Sequence, residues 1–301
     1  MKMWNILWPL FIYIIAQNIL AIVGMIVMMI ILCFTQADAQ GMIDLEILIE
    51  QSIEQYYQYA MLLVLIAALI CIPIYYKMYK KERQSLGRRK KDIPITNKDI
   101  AVIAISGAAL ALAMNNIIAL TPLPRMFPGY QETNAILYGG GILLQIICAG
   151  IFACIVEEVS MRGVVYLRMR RYWSKKTAMI LSAVVFGLYH MNVVQAVYAF
   201  VLGLFFVWLY ERYDSLWASC IGHMSANLFV ILLSGSTVAE KVMNTLVGYC
   251  LLTCVSLLIF YYGWRWMKQN NPVVELEFVE KAPDTLESLF DEYQGHDREE
   301  K

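Results

Sequence analysis

Long apolar runs, separated by short polar stretches, dominate the hydrophobic pattern of this chain. The first run covers residues 4–34 almost without interruption. Further runs follow at 59–76, 99–120, 136–156, 177–189, 196–210, 216–233 and 242–264. A helix of about 20 apolar residues can cross a bilayer, and the shorter runs reach that length only with their polar flanks. The pattern therefore predicts an all-α fold, a polytopic transmembrane helix bundle of about eight spans.

Composition and charge support a membrane protein and indicate its orientation. The 301 residues are 60% hydrophobic and 16% charged, whereas soluble domains are about half apolar and a quarter charged. Residues 35–55 contain acidic but no basic residues, while 77–98 and 168–176 are rich in lysine and arginine. The positive-inside rule places both basic segments in the cytoplasm and the acidic segment in an external loop. We expect a multi-pass cell-membrane protein with both termini cytoplasmic, and no role for the basic segments in binding nucleic acid.

The ends of the chain carry two further signals. Ala37-Asp38-Ala39 resembles a signal-peptidase site, but the apolar run before it far exceeds the usual 7–15 residues. We therefore expect the first helix to be retained. Residues 269–301 are strongly acidic, so we predict a transmembrane domain at 1–268 followed by an acidic cytoplasmic tail. The seven cysteines all lie in hydrophobic segments without a CxxC pair, which predicts neither a disulfide framework nor a zinc knuckle.

Ionisable residues within the predicted spans are the candidates for function, because each costs at least about 2.5–3.5 kcal/mol at the centre of a membrane helix. The fourth span contains Glu157, Glu158 and Arg162 in the sequence CIVEEVSMRGVVY. Glu158 and Arg162 are spaced i, i+4 with the acid first, which favours pairing on one helix face. Glu157 is turned about 100° away. We therefore expect Glu158–Arg162 to be a structural ion pair and Glu157 to face a cavity.

Two other spans carry polar residues at helical spacing. Phe186 and His190 share a face in FGLYH, and His223 and Asn227 share a face in GHMSAN. In the predicted topology, these two histidines, Asn227 and Glu157 lie roughly 10–20 Å from the cytoplasmic ends of their helices, given a rise of about 1.5 Å per residue. Four polar residues from three helices are thus predicted to meet near the middle of the bilayer.

Together these motifs resemble those of a known protease family. Glu157-Glu158-xxx-Arg162, Phe186-xxx-His190 and His223-xxx-Asn227 stand in the order of the three motifs of the CPBP family. This family, also called Abi, is the CAAX-protease and bacteriocin-processing group of intramembrane proteases. The resemblance covers a family-like core of roughly residues 100–235. It implies a glutamic-type intramembrane endopeptidase that hydrolyses a peptide bond of a membrane-associated protein or peptide.

The resemblance also implies a role for each motif residue. Glu157 would act as a base on water together with His190, while His223 and Asn227 would stabilise the oxyanion of the tetrahedral intermediate. This mechanism requires no cofactor. Three residues would support the site structurally, namely Glu158, Arg162 and Phe186.

A zinc-dependent version of the same protease is the alternative mechanism. Glu157, His190 and His223 could form a His₂Glu zinc site with an open position for water. In that case Glu157 would be a ligand, and Glu158 would have to serve as the base. Because helix geometry pairs Glu158 with Arg162, the metal-free mechanism is favoured.

Two readings without proteolysis also remain open. A binding protein of the bacteriocin-immunity type could share the fold and would not need Glu157 or His190. A proton-coupled transporter could use buried carboxylates and histidines as a proton relay. The sequence shows no inverted repeat or pair of broken helices of the kind that many transporters have, which disfavours the transporter.

Overall fold

The part of the chain that the structure, a computed structural model, describes is mostly helical. The described residues are 2–36, 45–86, 94–127, 129, 141–234, 236 and 245–270. They contain no β-strand, so the predicted all-α fold is confirmed. The Ala37-Asp38-Ala39 motif and residues 271–301 of the predicted acidic tail lie outside the described residues.

The first part of the chain forms α1 (Lys2–Leu7), α2 (Leu10–Gln36), α3 (Leu45–Ser85), α4 (Asn97–Ala119) and α5 (Leu123–Met126). The second part forms α6 (Ile142–Met169), α7 (Lys175–Tyr189), α8 (Val193–Tyr213), α9 (Leu216–Ser234) and α10 (Leu246–Asn270).

Within the described residues, seven helices are long and apolar enough to cross a membrane, namely α2, α3, α4, α6, α8, α9 and α10. The predicted polytopic transmembrane bundle is therefore confirmed. The remaining predicted span, residues 177–189, lies in α7, which has 15 residues. A helix of this length is about 22 Å long, so α7 alone is too short for a hydrocarbon core of about 30 Å.

Helix α7 instead forms a tight hairpin with α8. The two helices are separated by a short turn in which Met191 adopts a positive φ of 50°. Asn192 then caps α8, because its side-chain oxygen accepts hydrogen bonds from the first turn of that helix. A Cβ atom on Gly187 would lie 2.7 Å from the carbonyl oxygen of Ala196, so glycine allows the two backbones to approach closely. The cap and this close approach define the geometry of the hairpin tip.

The acidic segment near the start of α3 differs from its prediction. We expected residues 35–55 to form an external loop, but residues 45–55 belong to the first turns of α3. The chain has no glycine or proline from 45 to 72 and is rich in leucine, glutamate and glutamine, which are good helix formers. The loop prediction is therefore wrong for this part, because acidic charge marks the side of the membrane but does not end a helix.

Close packing of small residues brings α9 into the centre of the bundle. Helix α4 packs mainly against α9 and α10, while α8 packs against α7 and α9. A Cβ atom on Gly107 of α4 would collide with the backbone oxygen of Gly222 and with the hydroxyl of Ser225. Small residues at such a crossing let helix backbones meet inside a membrane. The same crossing places His223 in the interior, where only 5% of it is exposed.

One end of the bundle, which we call the polar end, is held by ion pairs between helix ends. Glu82 of α3 pairs with Arg168 near the end of α6 and with Arg171 just beyond it. Arg83 donates two hydrogen bonds, of 3.0 and 2.8 Å, to the carboxylate of Asp214 between α8 and α9. These pairs join the ends of four helices. Their arginines come from both of the predicted basic segments.

Both ends of the described chain also lie at the polar end. Arg168 donates to the backbone oxygen of Asn5 in α1. Arg212 donates to the backbone oxygen of Lys268 in the last turns of α10. The first and last described helices therefore begin and end on the same side of the bundle.

Candidate active site

The two adjacent glutamates lie on a regular stretch of α6 between two distorted ones. Ala153–Ser160 is α-helical, whereas Ile146–Phe152 and Met161–Tyr166 are π-helical. A π-helical turn carries an extra residue and is frequent at functional sites. The side chain of Glu157 keeps 17% of its surface exposed, whereas that of Glu158 is fully buried.

The predicted ion pair between Glu158 and Arg162 is present. Arg162 Nη1 lies 2.8 Å from Glu158 Oε1, and both side chains are fully buried. The guanidinium also donates to the backbone oxygen of Gly203 at 3.0 Å and lies 4.4 Å from the ring centre of Phe186. Buried charges are tolerated when they are paired and hydrogen-bonded. Arg162 thus fastens α6 to both helices of the α7–α8 hairpin.

His223 lies between the two glutamates, a connection that the sequence did not predict. Its Nδ1 lies 2.9 Å from Glu158 Oε1, and its Nε2 lies 3.8 Å from Glu157 Oε2. The ring stacks on Phe206 with a centroid distance of 4.6 Å. Since a carboxylate only accepts hydrogen bonds, Nδ1 carries the proton in the neutral ring. The other nitrogen, Nε2, then faces Glu157.

His190 is held in the same way at the end of α7. Its Nδ1 lies 2.9 Å from the backbone oxygen of Phe186, and a carbonyl oxygen only accepts. The proton is therefore on Nδ1, and Nε2 holds the lone pair in the neutral ring. The Phe186 ring meets both His190 and His223 edge-on, with centroid distances of 5.1 and 5.7 Å. Phe186 thus sets the spacing between the two imidazoles.

The amide of Asn227 is oriented by the π-helical stretch of α6. Its Nδ2 donates to the backbone oxygen of Ala149 at 3.0 Å and contacts Cys154 Sγ at 3.3 Å. The thiol of Cys154 is buried and lies 3.4 Å from the same oxygen of Ala149. Because a carbonyl oxygen only accepts, Nδ2 must face it, which fixes the amide.

All four residues predicted to be catalytic line one cavity of about 200 Å³, namely Glu157, His190, His223 and Asn227. Most of the remaining wall is apolar and includes Ala111, Ala153, Ala199, Leu202, Ala226 and Val230. Three more polar residues, which were not predicted from the sequence, also line it: Asn115, Gln195 and Tyr198. Their signal was a polar side chain within an apolar run, which marks a functional candidate inside a membrane.

The cavity does not present a ready-made metal site. Both histidines carry the anchored Nδ1–H that metal-ligating histidines usually have. However, no three histidine, cysteine, aspartate or glutamate side chains of the described residues come together as a ligand group. The alternative of zinc held by Glu157, His190 and His223 stays a prediction, and these side chains would have to move closer together to bind the ion.

The segment that carries these residues is similar to a known group of membrane proteases. Residues 139–229 match the model of the type II CAAX prenyl endopeptidase Rce1-like family. The matched segment contains all three motifs, from Glu157 to Asn227, and does not include α4 or α10. The predicted resemblance to the CAAX-protease group is therefore confirmed for this part of the chain.

A curated relative supports the same likeness. The candidate membrane peptidase YdiL of Bacillus subtilis is 27% identical over 104 residues, which are 34% of this chain and 43% of YdiL. The chain thus spans less than half of the length of that relative. No solved structure matches this chain.

Proposed function

We propose that this chain is an endopeptidase that hydrolyses a peptide bond of a membrane-associated protein or peptide. The main observation behind the proposal is that the two adjacent glutamates have different surroundings. Glu158 is occupied by Arg162 and His223, whereas Glu157 lines the cavity. An ionisable group that faces a cavity within a membrane bundle is a functional group by default. The similarity to a protease family over residues 139–229 agrees with this role.

In the proposed reaction, Glu157 acts as a general base on a water molecule. The carboxylate removes one proton from the water, while Nε2 of His190 accepts a hydrogen bond from the other. The water oxygen bonds to the carbonyl carbon of the substrate, and the carbonyl oxygen becomes an oxyanion. When the C–N bond breaks, Glu157 gives its proton to the leaving nitrogen. This sequence of steps yields a new carboxyl group and a new amine.

His223 and Asn227 are proposed to stabilise the oxyanion. His223 donates through Nε2 when its ring is protonated, and its contact with Glu158 then persists through Nδ1. Asn227 has both amide protons directed at described groups, Ala149 and Cys154. The thiol sulfur is the weaker acceptor. We therefore expect the amide proton directed at Cys154 to be shared with an oxyanion that enters beside the thiol, while the bond to Ala149 holds the side chain.

The proposed mechanism uses side chains alone and assigns no cofactor. Its partners are a protein or peptide substrate and the lipid bilayer, with no nucleic acid. We also propose that the polar end faces the cytoplasm, because it contains basic residues of both predicted segments, such as Arg83 and Arg168. Both ends of the described chain lie there, so both termini would be cytoplasmic.

The proposal is tested with the purified protein in liposomes and a pool of synthetic peptides that carry apolar segments. Mass spectrometry should detect fragments whose ends lie within or beside those segments. His190→Ala should lower the rate of cleavage about 10²- to 10⁴-fold, as is usual for loss of an acid–base group. Leu232→Ala, a change on the outer surface of α9, is the control and should cleave normally. Identical cleavage by His190→Ala would overturn the proposal.

A further inference from the structure

An amide side chain with no hydrogen-bond partner among the described residues lies in the wall of the cavity. Gln195 is 6% exposed and lines the cavity beside the catalytic residues. No hydrogen bond joins its side-chain amide to another described residue. A primary amide has two donor protons and an acceptor oxygen, so Gln195 offers the cavity both kinds of hydrogen bond.

The position of Gln195 is fixed by the α7–α8 hairpin. The side-chain oxygen of Asn192 accepts a hydrogen bond from the backbone nitrogen of Gln195 at 3.2 Å. This cap places Gln195 in the first turn of α8, five positions after His190. Both residues line the cavity from the same tight hairpin. The hairpin therefore places Gln195 close in the chain to His190, the residue that binds the water in the proposed reaction.

Asn115 offers a second acceptor from another helix, α4. Its Nδ2 donates to the backbone oxygen of Ala111 at 2.9 Å, which leaves Oδ1 for the cavity. Most of the surrounding wall is apolar. A peptide bond in an apolar membrane site must have its N–H and C=O groups satisfied, and a helix satisfies them internally. A segment unwound for cleavage loses that pairing and needs partners from the wall.

We propose that Gln195 binds a main-chain amide group of the substrate next to the scissile bond, with Asn115 Oδ1 accepting from a second main-chain N–H. The ligand class is an extended peptide backbone, and the recognition is independent of side-chain sequence. Gln195 is thus a substrate-positioning residue that acts on substrate binding. This inference rests on the proposed peptidase function.

The experiment uses the peptide that the wild-type protein cleaves best in the liposome assay. A series of analogues replaces one backbone amide at a time by an ester, which removes a single N–H donor. One analogue in the series lacks the N–H that Gln195 would bind. The wild type should cleave this analogue with a kcat/KM roughly 3- to 10-fold lower than that of the parent peptide. Gln195→Leu should show the same loss on the parent peptide, mainly in KM. On that analogue, Gln195→Leu should show no further loss, because the two changes remove the same hydrogen bond.

Gln58→Leu, the same substitution at an exposed position of α3, serves as the matched control and should behave as the wild type on every analogue. If Gln195→Leu is not monodisperse, Gln195→Met replaces it in the same comparison of the parent peptide with its ester analogues. For every analogue, the loss caused by the ester could add to the full loss caused by Gln195→Leu. That result would overturn this inference while leaving the peptidase proposal intact. Absence of cleavage by the wild type, or full cleavage by Glu157→Gln, would overturn the proposed function and this inference with it.

Discussion

The buried carboxylate of Glu158 accepts the Nδ1 proton of His223 at 2.9 Å. The same oxygen, Oε1, also pairs with Arg162 at 2.8 Å. An ion pair within α6 is thereby coupled to a histidine of α9 that lines the cavity. Glu158 therefore does more than neutralise an arginine, because it also sets the tautomer and orientation of His223.

The first prediction concerns the stability of this buried cluster. Glu158→Gln should lower the free energy of unfolding by about 3–5 kcal/mol, because it leaves the Arg162 guanidinium buried without its counter-charge. Arg162→Lys should also destabilise, since an ammonium cannot reproduce the planar contacts of the guanidinium with Glu158 and Gly203. Thermal unfolding of the protein in detergent measures both effects.

The matched control for this prediction is Glu157→Gln. Its side chain is partly exposed and takes no part in the arginine pair, so the unfolding temperature should change little. Equal destabilisation by Glu157→Gln and Glu158→Gln would contradict the division between the two glutamates.

The second prediction concerns the crossing of α4 and α9. Gly107→Ala should destabilise by about 1–3 kcal/mol, since the new methyl group meets the backbone of Gly222, which cannot move aside. Gly222→Ala should cost less, because its methyl group would meet the flexible end of Leu209 at 2.6 Å. Comparing the unfolding temperatures of these two variants tests the crossing. The reverse order of the two variants would show that the helices do not cross at Gly107.

The third prediction concerns the anchor of Asn227. Asn227→Asp should lose both stability and activity, because an oxygen would replace Nδ2 opposite the carbonyl oxygen of Ala149. Asn227→Ala should lower kcat about 10²-fold, as for other lost oxyanion donors. Cys154→Ala should keep a rate close to that of the wild type, since the stronger bond to Ala149 remains. A loss in Cys154→Ala as large as that in Asn227→Ala would show that the thiol, and not the carbonyl, holds the amide.

The fourth prediction concerns metal. Prolonged dialysis against 1,10-phenanthroline should leave the rate of peptide cleavage unchanged, because the proposed steps use side chains alone. Elemental analysis of the active protein should find less than stoichiometric zinc. Loss of activity on dialysis and its return on addition of zinc would support the alternative in which Glu157, His190 and His223 bind the metal.

Features that depend on local spacing could be predicted from the sequence. The apolar runs indicate the membrane helices, and the i, i+4 spacing gives the pair Glu158–Arg162, because both follow from the geometry of a single helix. The length of α7 could not be predicted from the apolar pattern. The run at 177–189 is apolar like the others, and only the turn at Met191 and the cap at Asn192 end the helix early.

Contacts between helices could not be derived in the same way. The bond between Glu158 and His223 depends on the rotation and depth of α9 relative to α6, which the crossing at Gly107 helps to set. The role of Gln195 could likewise not be predicted, since it stands alone just before the apolar run at 196–210. Its place in the cavity follows from the hairpin that also carries His190.

The most direct test of the account is the rate of peptide cleavage by Glu157→Gln in liposomes, measured beside its unfolding temperature. Glutamine keeps the volume of the side chain but cannot take a proton from water. If Glu157 is the general base, cleavage falls to the background of protein-free liposomes while the unfolding temperature stays near that of the wild type. Cleavage by Glu157→Gln at the wild-type rate would contradict the central role given to this carboxylate.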